Sequence, residues 1–317
     1  MTRNIARERK QDRRILVCGL ISADIIFNLP EIPVEAEKYR ADDVRFSLGG
    51  GGAIAAVALQ KLGAQAHLVG RLGDDRFSGL IREEFISHDI DSTSVIQIRN
   101  CKSPLSSIFI DANGERQIIN YRSLRDRQSD TKESLNLDFL SAHRSLDAVL
   151  VDTRWEEAAL HVLQSAREQL IPAVIDAEAP VCHEAMTLAT HIAFSRQGLR
   201  DYANTQDLAK GLRDASAQFG NWVCVTDGEA GVSYLNEDAV VNVPAFPVVA
   251  IDTLGAGDVW HAAFTLQLAE GVTEHGAIVF ANAAASLKCA SAQGIDGVPD
   301  YASVVSLVEQ NRNVPLN

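Results

Sequence analysis

The sequence predicts an α/β fold: a mainly parallel β-sheet between two helical layers, which together form a three-layer α/β/α sandwich, and a small separate β-sheet. From about residue 146 onward, short and nearly continuous apolar segments alternate with longer segments of helical periodicity. Such segments are typical of parallel strands that are covered on both faces. Two insertions, over residues 25–46 and 103–122, contain prolines, alternating residues or a hairpin turn, and together they predict the small β-sheet.

The composition limits the classes of partner. The chain has 317 residues, and its hydrophobic content of 46% supports a large core. One domain is predicted over residues 14–317, after a charged, disordered tail over residues 1–13. The net charge of −13 argues against nucleic acid or an anionic membrane as the main partner. No apolar run approaches the ~18 residues that a membrane helix needs. Five scattered cysteines indicate reduced thiols in a cytoplasmic protein.

The N-terminal part begins with a predicted buried strand over residues 14–20, which Asp24 follows closely. In open α/β sheets ligands bind at the carboxyl ends of the strands, where Asp24 would lie. Four consecutive glycines at positions 49–52 then precede a helix over residues 53–62. Glycines at this place allow the backbone to approach a ligand closely.

The segment between the glycines and the second insertion predicts a strand over residues 66–70. Asp74 and Asp75 follow it, and we interpret them as acids that stabilise the start of the next helix rather than as ligand contacts. The second insertion predicts a hairpin, because alternating segments flank the turn sequence Asn113-Gly114.

The C-terminal half predicts a regular alternation of strands and helices. Strands are expected over residues 147–151, 172–175, 191–194 and 222–225, and a helix over residues 156–169. Residues at the carboxyl ends of the predicted strands share one edge of the sheet and define the candidate site. They are Asp24, Asp152, Arg154, Asp176, Ser195, Thr226, Gly228 and Asp258.

One stretch combines the features of an anion site. Residues 249–251 predict a strand, a glycine turn follows, and residues 259–269 predict a helix that ends at Gly271. The amides of residues 255–257 would lie at the N-terminus of this helix, where they bind an anion such as phosphate. Asp258 would face the same ligand and accept the proton of an attacking hydroxyl group. The predicted anion and base site consists of Gly255, Ala256, Gly257 and Asp258.

The segment D-T-L-G-A-G-D over residues 252–258 resembles the C-terminal signature D-T-x-G-A-G-D of the ribokinase-like (PfkB) carbohydrate kinases, and the glycine cluster resembles their N-terminal signature. The resemblance implies a ribokinase-like fold and an ATP-dependent sugar kinase. It implies that Asp258 is the catalytic base and that the three residues before it hold the transferring phosphoryl group. It implies that the small β-sheet is a lid that covers the sugar and pairs two chains into a homodimer. The sugar would contact Asp24, Gly49, Gly50 and Gly51.

Two further segments resemble the nucleotide-binding side of this family. Residues 226–231 resemble its nucleotide-binding loop, and residues 294–299 resemble the loop that closes beside the nucleotide. A small-residue helix over residues 280–285 would flank the adenine, although close packing explains its composition equally well. The residues expected to contact ATP are Thr226, Gly228, Gly231, Asn282 and Gly294.

The sequence departs from the family pattern at two places. Ala53 and Ile54 follow the glycines where the family usually has Asn. Residues 195–198 read S-R-Q-G where many members have N-x-x-E, a motif tied to Mg²⁺ and phosphate. We therefore name no protein ligand for a metal, and Mg²⁺ is expected to be held through nucleotide phosphates and water. A monovalent cation near Asp252 is implied by family analogy alone.

Three polar residues point to an anionic sugar: Lys38 in the first insertion, Asn120 at the end of the lid hairpin and Arg154 at a strand end. A planar guanidinium group suits a phosphate, carboxylate or sulfonate. The sequence around these residues resembles the sulfofructose kinase branch of the family, in which a Lys, an Asn and an Arg at these places bind the sulfonate. The resemblance implies a ketose such as 6-deoxy-6-sulfofructose, phosphorylated at a primary hydroxyl group.

Several alternatives stay open. Lys38 could be solvated, and Arg154 could make a structural ion pair. The chain could phosphorylate a neutral sugar or a nucleoside. It could also be a non-catalytic protein that binds a sugar or nucleotide and regulates a partner, although such a sensor has no need of a base such as Asp258 beside an anion site.

Overall fold

The computed structural model describes residues 13–122, 145–237 and 239–311. Its strands are β1 (Arg14–Cys18), β2 (Ser22–Asn28), β3 (Asp43–Gly49), β4 (Gln65–Gly73), β5 (Asp91–Ile98), β6 (Leu105–Ile110), β7 (Arg116–Tyr121), β8 (Ala148–Val151), β9 (Ala173–Ala177), β10 (His191–Ser195), β11 (Trp222–Thr226), β12 (Val232–Asn236) and β13 (Ala239–Val243). Its α-helices are α1 (Gly51–Lys61), α2 (Arg76–Ser87), α3 (Glu156–Gln169), α4 (His183–Leu188), α5 (Arg196–Ala203), α6 (Leu208–Phe219), α7 (Ala256–Ala269), α8 (Glu274–Cys289) and α9 (Tyr301–Asn311). The predicted tail lies, except for residue 13, outside the described residues.

The central sheet has nine strands in the order β13-β12-β11-β10-β9-β8-β1-β4-β5. The seven strands from β11 to β5 are parallel, and β12 and β13 form an antiparallel extension at one edge. The sheet is therefore mainly parallel, as the sequence predicts. Strand β5 and the β12–β13 hairpin have no counterpart in the prediction. Strand β5 is missed because of its composition: Val95 is its one buried residue, and the polar residues around it give no apolar segment that would predict a strand.

The central strands contribute side chains to two cores, because successive residues of a strand point to opposite faces of the sheet. Ile15 and Val17 of β1 belong to one core, together with helices α1, α2, α7, α8 and α9. Leu16 and Cys18 belong to the other core, together with α3, α4, α5 and α6. Helices therefore cover both faces of the sheet, which confirms the predicted three-layer α/β/α sandwich.

A second, smaller sheet has the strand order β3-β2-β6-β7. Strands β2 and β6 are parallel, and the two outer pairs are antiparallel. Both predicted insertions contribute strands to this sheet, and Phe27 stacks on Phe109 with ring centroids 5.5 Å apart. In the turn between β6 and β7, Asp111 accepts a hydrogen bond of 2.8 Å from the Asn113 amide. This sheet is the predicted lid.

Glycines bring helix α1 against strand β1. A Cβ atom on Gly52 would lie 2.7 Å from the carbonyl carbon of Gly19, so a larger residue would force the backbones apart. Gly50 has a φ of +86°, which lets the chain turn from β3 into α1. The glycine cluster therefore sets where the N-terminus of α1 lies.

One predicted strand is wrong. Residues 249–251 belong to no strand, and Val249 and Ile251 are 83% and 59% exposed. The amides of Ile251 and Asp252 instead donate to the carbonyl oxygen of Cys289 at the end of α8, at 2.7 and 3.0 Å. The apolar run predicted a buried strand, but here the backbone is fixed to a helix end while the side chains face solvent.

Candidate active site

Asp258 lies in the first turn of α7, and glycines shape its surroundings. Gly255 caps the helix with a φ of +75°, a conformation that favours glycine. The helix begins at Ala256, three residues before the predicted start. A Cβ atom on Gly51 would lie 2.7 Å from the Asp258 Oδ1 atom. A Cβ atom on Gly257 would meet nothing within 4 Å, so the turn has open space beside it.

The N-termini of α1 and α7 therefore approach each other at Asp258. Each helix N-terminus presents backbone amides that carry partial positive charge. Ile54 of α1 packs against the turn at Gly255, because a Cβ atom on Gly255 would lie 3.2 Å from the Ile54 Cδ1 atom. Ile54 departs from the family pattern, and in this chain its apolar side chain packs against the turn.

Asp24 is a second buried acid of the site. It lies on β2 and accepts a hydrogen bond of 3.0 Å from the Ser22 hydroxyl group. A Cβ atom on Gly49 would collide with its carboxylate group, and the charge of Asp24 acts on Asp258. The structure thus brings four of the predicted site residues together, namely Asp24, Gly49, Gly51 and Asp258.

Burial raises the pKa of Asp258 well above its ordinary value, and the negative charges of four other acids raise it further. In decreasing order of effect these acids are Asp176, Glu178, Asp152 and Asp24. Burial also raises the pKa of Asp152 to about 6, although the Leu20 amide donates to its carboxylate group at 2.6 Å. A carboxylate whose pKa lies closer to neutral is a better proton acceptor at neutral pH, so the surroundings of Asp258 suit a general base.

Arg154 forms an ion pair with Glu178, with 2.5 Å between Arg154 Nη2 and Glu178 Oε2. Its Nη1 atom donates to the Ala179 carbonyl oxygen at 3.2 Å. This geometry matches the alternative of a structural ion pair that the sequence left open. Lys38 is exposed between β2 and β3, and within the described ranges it has no hydrogen bond or ion pair.

Arg122 is a cation that the sequence analysis does not single out. Its guanidinium group donates to the Ser106 hydroxyl group at 3.1 Å and to Asn120 Oδ1 at 2.6 Å. Burial lowers the pKa of Arg122, the charge of Asp24 raises it, and the charge of Arg154 lowers it. The guanidinium group of Arg122 therefore lies close enough to Asp24 and to Arg154 for their charges to interact. An Arg directly after a predicted hairpin is the only signal in the sequence, and charged residues are common there.

The predicted nucleotide loop follows β11. Gly228 and Gly231 have φ values of +52° and +83°, and a Cβ atom on Gly228 would meet nothing within 4 Å. The Thr226 hydroxyl group donates to the Phe194 carbonyl oxygen at 3.4 Å. The loop is a tight glycine turn with open space beside it, at the carboxyl end of the strand.

The segment that replaces N-x-x-E begins a helix. Ser195 caps α5 by accepting a hydrogen bond of 3.0 Å from the Gly198 amide. Arg196 pairs with Asp227, which lies within the nucleotide loop. These residues therefore stabilise the loop from its neighbouring strand end.

Asn282 and Gly294 differ in their surroundings. Asn282 is buried, accepts a hydrogen bond of 2.8 Å from Trp260 Nε1, and donates to the carbonyl oxygens of residues 243–244 at 3.0 Å. These bonds match the alternative of a close-packed helix. Gly294 has a φ of +60°, and a Cβ atom there would lie 3.7 Å from Arg45 Cζ of the lid.

The lid also contacts the turn before α7. The guanidinium group of Arg116, on β7, donates to the Thr253 hydroxyl group. The sequence does not indicate this contact, because the two residues are 137 positions apart.

Asp74 and Asp75 have structural roles. Asp75 caps α2 by accepting a hydrogen bond of 3.1 Å from the Ser78 amide. Asp74 accepts hydrogen bonds from the Asn100 and Cys101 amides at 2.9 and 3.2 Å. These bonds agree with the interpretation of both residues as structural acids.

Among residues 13–122, 145–237 and 239–311, no group of three or more His, Cys, Asp or Glu side chains could hold a metal ion. No helix in this part of the chain is both long enough and apolar enough to span a membrane.

Comparison with known proteins agrees with a site suited to phosphoryl transfer. The model of the pfkB family carbohydrate kinases matches residues 12–300. A ribokinase of Bacillus subtilis (strain 168) is 28% identical over 299 residues, which cover 93% of this chain and 99% of the relative. A ketohexokinase of Mus musculus is 25% identical over 301 residues, which cover 91% and 99%. The structure of Arabidopsis thaliana ribokinase complexed with ribose and ATP superimposes with a TM-score of 0.80 at 23% identity, and covers 94% of this chain and 99% of that one.

The fold is thus ribokinase-like, and the class of protein is a phosphotransferase. The chain belongs to the pfkB family of carbohydrate kinases. Within that family it is a sugar or nucleoside kinase of the ribokinase type.

Proposed function

We propose that this kinase transfers the γ-phosphate of ATP to a primary hydroxyl group of a ketose, with Asp258 as the catalytic base. The observation that carries the proposal is the partly buried carboxyl group of Asp258, which lies at the N-terminus of α7 and against Gly51 of α1. Backbone amides suited to a phosphoryl group and a carboxylate suited to a hydroxyl proton lie side by side there. A non-catalytic sensor would need no such base.

Each part of the site has one task in the proposed reaction. Asp24 orients the sugar hydroxyl groups over Gly49, Gly50 and Gly51. Asp258 accepts the proton of the attacking hydroxyl group, and the amides of residues 255–257 stabilise negative charge on the transferring phosphoryl group. The lid excludes water from the sugar, which limits hydrolysis of ATP.

We place ATP along the glycine turn after β11 and the loop at Gly294. Thr226, Gly228 and Gly231 contact the nucleotide, and the open space beside Gly228 supports this placement. Asn282 contributes through its helix, because its side-chain amide is already bound within the protein. Mg²⁺ enters with the nucleotide phosphates, a role that suits its tendency to retain water ligands.

We further propose that the ketose is anionic, with 6-deoxy-6-sulfofructose as the expected substrate. The support is the guanidinium group of Arg122, which donates to Ser106 and Asn120 and whose charge interacts with those of Asp24 and Arg154. The ion pair of Arg154 with Glu178 is half-exposed, and an exposed pair exchanges partners at little cost. Asn120 accepts a hydrogen bond from Arg122, and Lys38 is exposed in the first insertion, between β2 and β3. The chemistry that recognises a sulfonate is therefore present on the sugar side.

A cytoplasmic location is part of the same proposal. All five cysteines are free thiols in the structure, as expected for a protein kept in a reducing compartment.

Asp258→Asn is expected to keep the fold and to lower kcat by about 10²- to 10⁴-fold, because an amide cannot accept the proton. The measurements are sugar-dependent release of ADP and the melting temperature. Asp201→Asn, at an exposed position on α5, is the control and should retain its activity. Near-normal turnover of Asp258→Asn on its best substrate would contradict the mechanism.

Glu178→Gln is expected to move the acid limb of the pH profile of kcat/KM to lower pH. The negative charge of Glu178 raises the pKa of Asp258, so its removal lowers that pKa and the base stays ionised to lower pH. Glu309→Gln, on α9, is the control that leaves the limb in place. If the acid limb of the Glu178→Gln profile stays at the same pH, the limb reports the ionisation of a group other than Asp258.

Turnover with 6-deoxy-6-sulfofructose, fructose 6-phosphate, fructose and ribose tests the substrate. We expect the highest kcat/KM with the sulfonated ketose. Arg154→Gln should raise its KM about 10- to 100-fold, the loss expected when a charged hydrogen bond is removed, and should change the KM of fructose little. A preference for a neutral sugar or a nucleoside would remove the anionic substrate and leave the kinase proposal intact.

We also propose that two chains pair through their lids. Val44, Ile119 and Tyr121 are large, exposed apolar residues that share one face of the lid sheet. Grouped exposed apolar residues mark interaction surfaces. Light scattering should give twice the mass of one chain, and Ile119→Lys should give the mass of one. A monomeric unaltered chain would contradict this pairing.

A further inference from the structure

We infer that the ammonium group of Lys288 fills the cation position beside Asp252, so that this kinase works without an exchangeable monovalent cation. The inference rests on the proposed function of the adjacent turn over residues 255–257. Lys288 is then a positioning residue, because it acts through Asp252 and does not touch the substrate.

The space that a cation would need beside Asp252 is already taken. Lys288 Nζ lies 3.2 Å from the Asp252 carbonyl oxygen and 3.2 Å from the Asp252 Oδ2 atom. Carbonyl and carboxylate oxygens are the atoms that a dissolved K⁺ would use as ligands. A second positive charge at the same oxygens would be repelled by the ammonium group. The monovalent cation that family analogy implies near Asp252 therefore does not fit this chain.

The ammonium group of Lys288 stays beside Asp252 because it is part of the protein chain. The Lys288 side chain is 1% exposed and that of Asp252 is 10% exposed. Lysine is almost never fully buried unless it is paired, because an ammonium group loses its hydration on burial. The side chain is tethered to the last turn of α8. A dissolved ion would exchange with solvent, whereas this one is part of the chain.

A short series of contacts connects Lys288 to the phosphoryl-binding turn. The Oδ2 atom of Asp252 accepts a hydrogen bond from Lys288 Nζ, and its Oδ1 atom accepts one of 2.9 Å from the Leu254 amide. Leu254 directly precedes Gly255, the residue that caps α7. Loss of the ammonium group would leave the buried Asp252 carboxylate without its cation, and the carboxylate would then turn toward water and release Leu254.

The same backbone is fixed a second time by the end of α8. The carbonyl oxygen of Cys289, next to Lys288, accepts the amides of Ile251 and Asp252. The anchor for the backbone is therefore independent of the charge. Removal of the charge should disturb the geometry of the turn and leave its attachment to α8 in place.

The first test uses the unaltered chain. Initial rates and melting temperatures are measured in KCl, NaCl and tetramethylammonium chloride at equal ionic strength. We expect rates within about twofold of one another, and melting temperatures that agree within about 1 °C, because no cation binds the folded state specifically. Activation by K⁺ beyond about fivefold, or a melting temperature that K⁺ alone raises by several degrees, would overturn the inference.

Two variants separate the effect of the positive charge of Lys288 from the effect of its side-chain volume. Lys288→Met removes the ammonium group and keeps an unbranched side chain, whereas Lys288→Ala leaves space beside Asp252. We expect kcat of both to fall about 10- to 100-fold, as for other residues that act through a neighbour. The KM for the sugar should change less, because Lys288 is remote from the sugar contacts. K⁺ or NH₄⁺ should restore part of the rate and raise the melting temperature of Lys288→Ala, and should do neither for Lys288→Met.

Lys210→Met is the matched control, because Lys210 pairs with Asp214 at 2.5 Å on the exposed side of α6. It should keep the kcat of the unaltered chain. An unchanged kcat in Lys288→Met, or equal recovery of both Lys288 variants by K⁺, would overturn the inference. If the unaltered chain phosphorylates no sugar, the proposed function fails, whereas the melting temperatures in the three salts still decide the claim about the cation.

Discussion

The position of the partly buried Asp258 carboxyl group between two helix N-termini is the constraint on which the rest of the site depends. It requires α1 and α7 to approach closely, and Gly51 and Gly52 allow this because neither carries a Cβ atom. With a larger residue at either position α1 would move outward, Asp258 would be more exposed to water, and its pKa would fall toward that of an ordinary aspartate. The glycine cluster therefore sets the chemistry of the acid as well as the path of the backbone.

The lid and the sandwich meet at the same turn. Arg116 of β7 binds Thr253, and Arg45 of β3 lies beside Gly294. The lid thus contacts both the segment that leads into α7 and the loop on the nucleotide side. A movement of the lid would therefore affect both the turn before α7 and the loop at Gly294.

Much of the fold follows from the sequence because buried elements have strong apolar periodicity. Helix α3 has the predicted bounds, and the strands β1 and β8 to β11 lie within one or two residues of their expected places. The prediction failed for segments in which the exposure of the side chains to solvent does not follow from their composition. The apolar residues 249–251 face solvent, and the polar β5 belongs to the sheet. Neither outcome can be read from local composition.

The candidate site also contains residues that the sequence predicts and residues that it does not indicate. Asp24, Gly49, Gly51 and Asp258 belong to local patterns and were predicted. Arg116, Arg122 and Lys288 gain their surroundings only from tertiary structure. A lysine in the last turn of a helix is ordinarily explained by the helix dipole, and only the packing of α8 against the segment at Asp252 shows that its ammonium group is buried.

Strand β7 has a consequence for solubility. It lies at the edge of the lid sheet, and all six of its residues are exposed. Edge strands usually avoid adding foreign strands through charged side chains that face outward. Arg116 carries the only charge on β7, and Thr253 holds it. The contact between the lid and the turn before α7 therefore also fixes the position of the charge that guards this edge, and pairing of two lids would protect the edge further against aggregation.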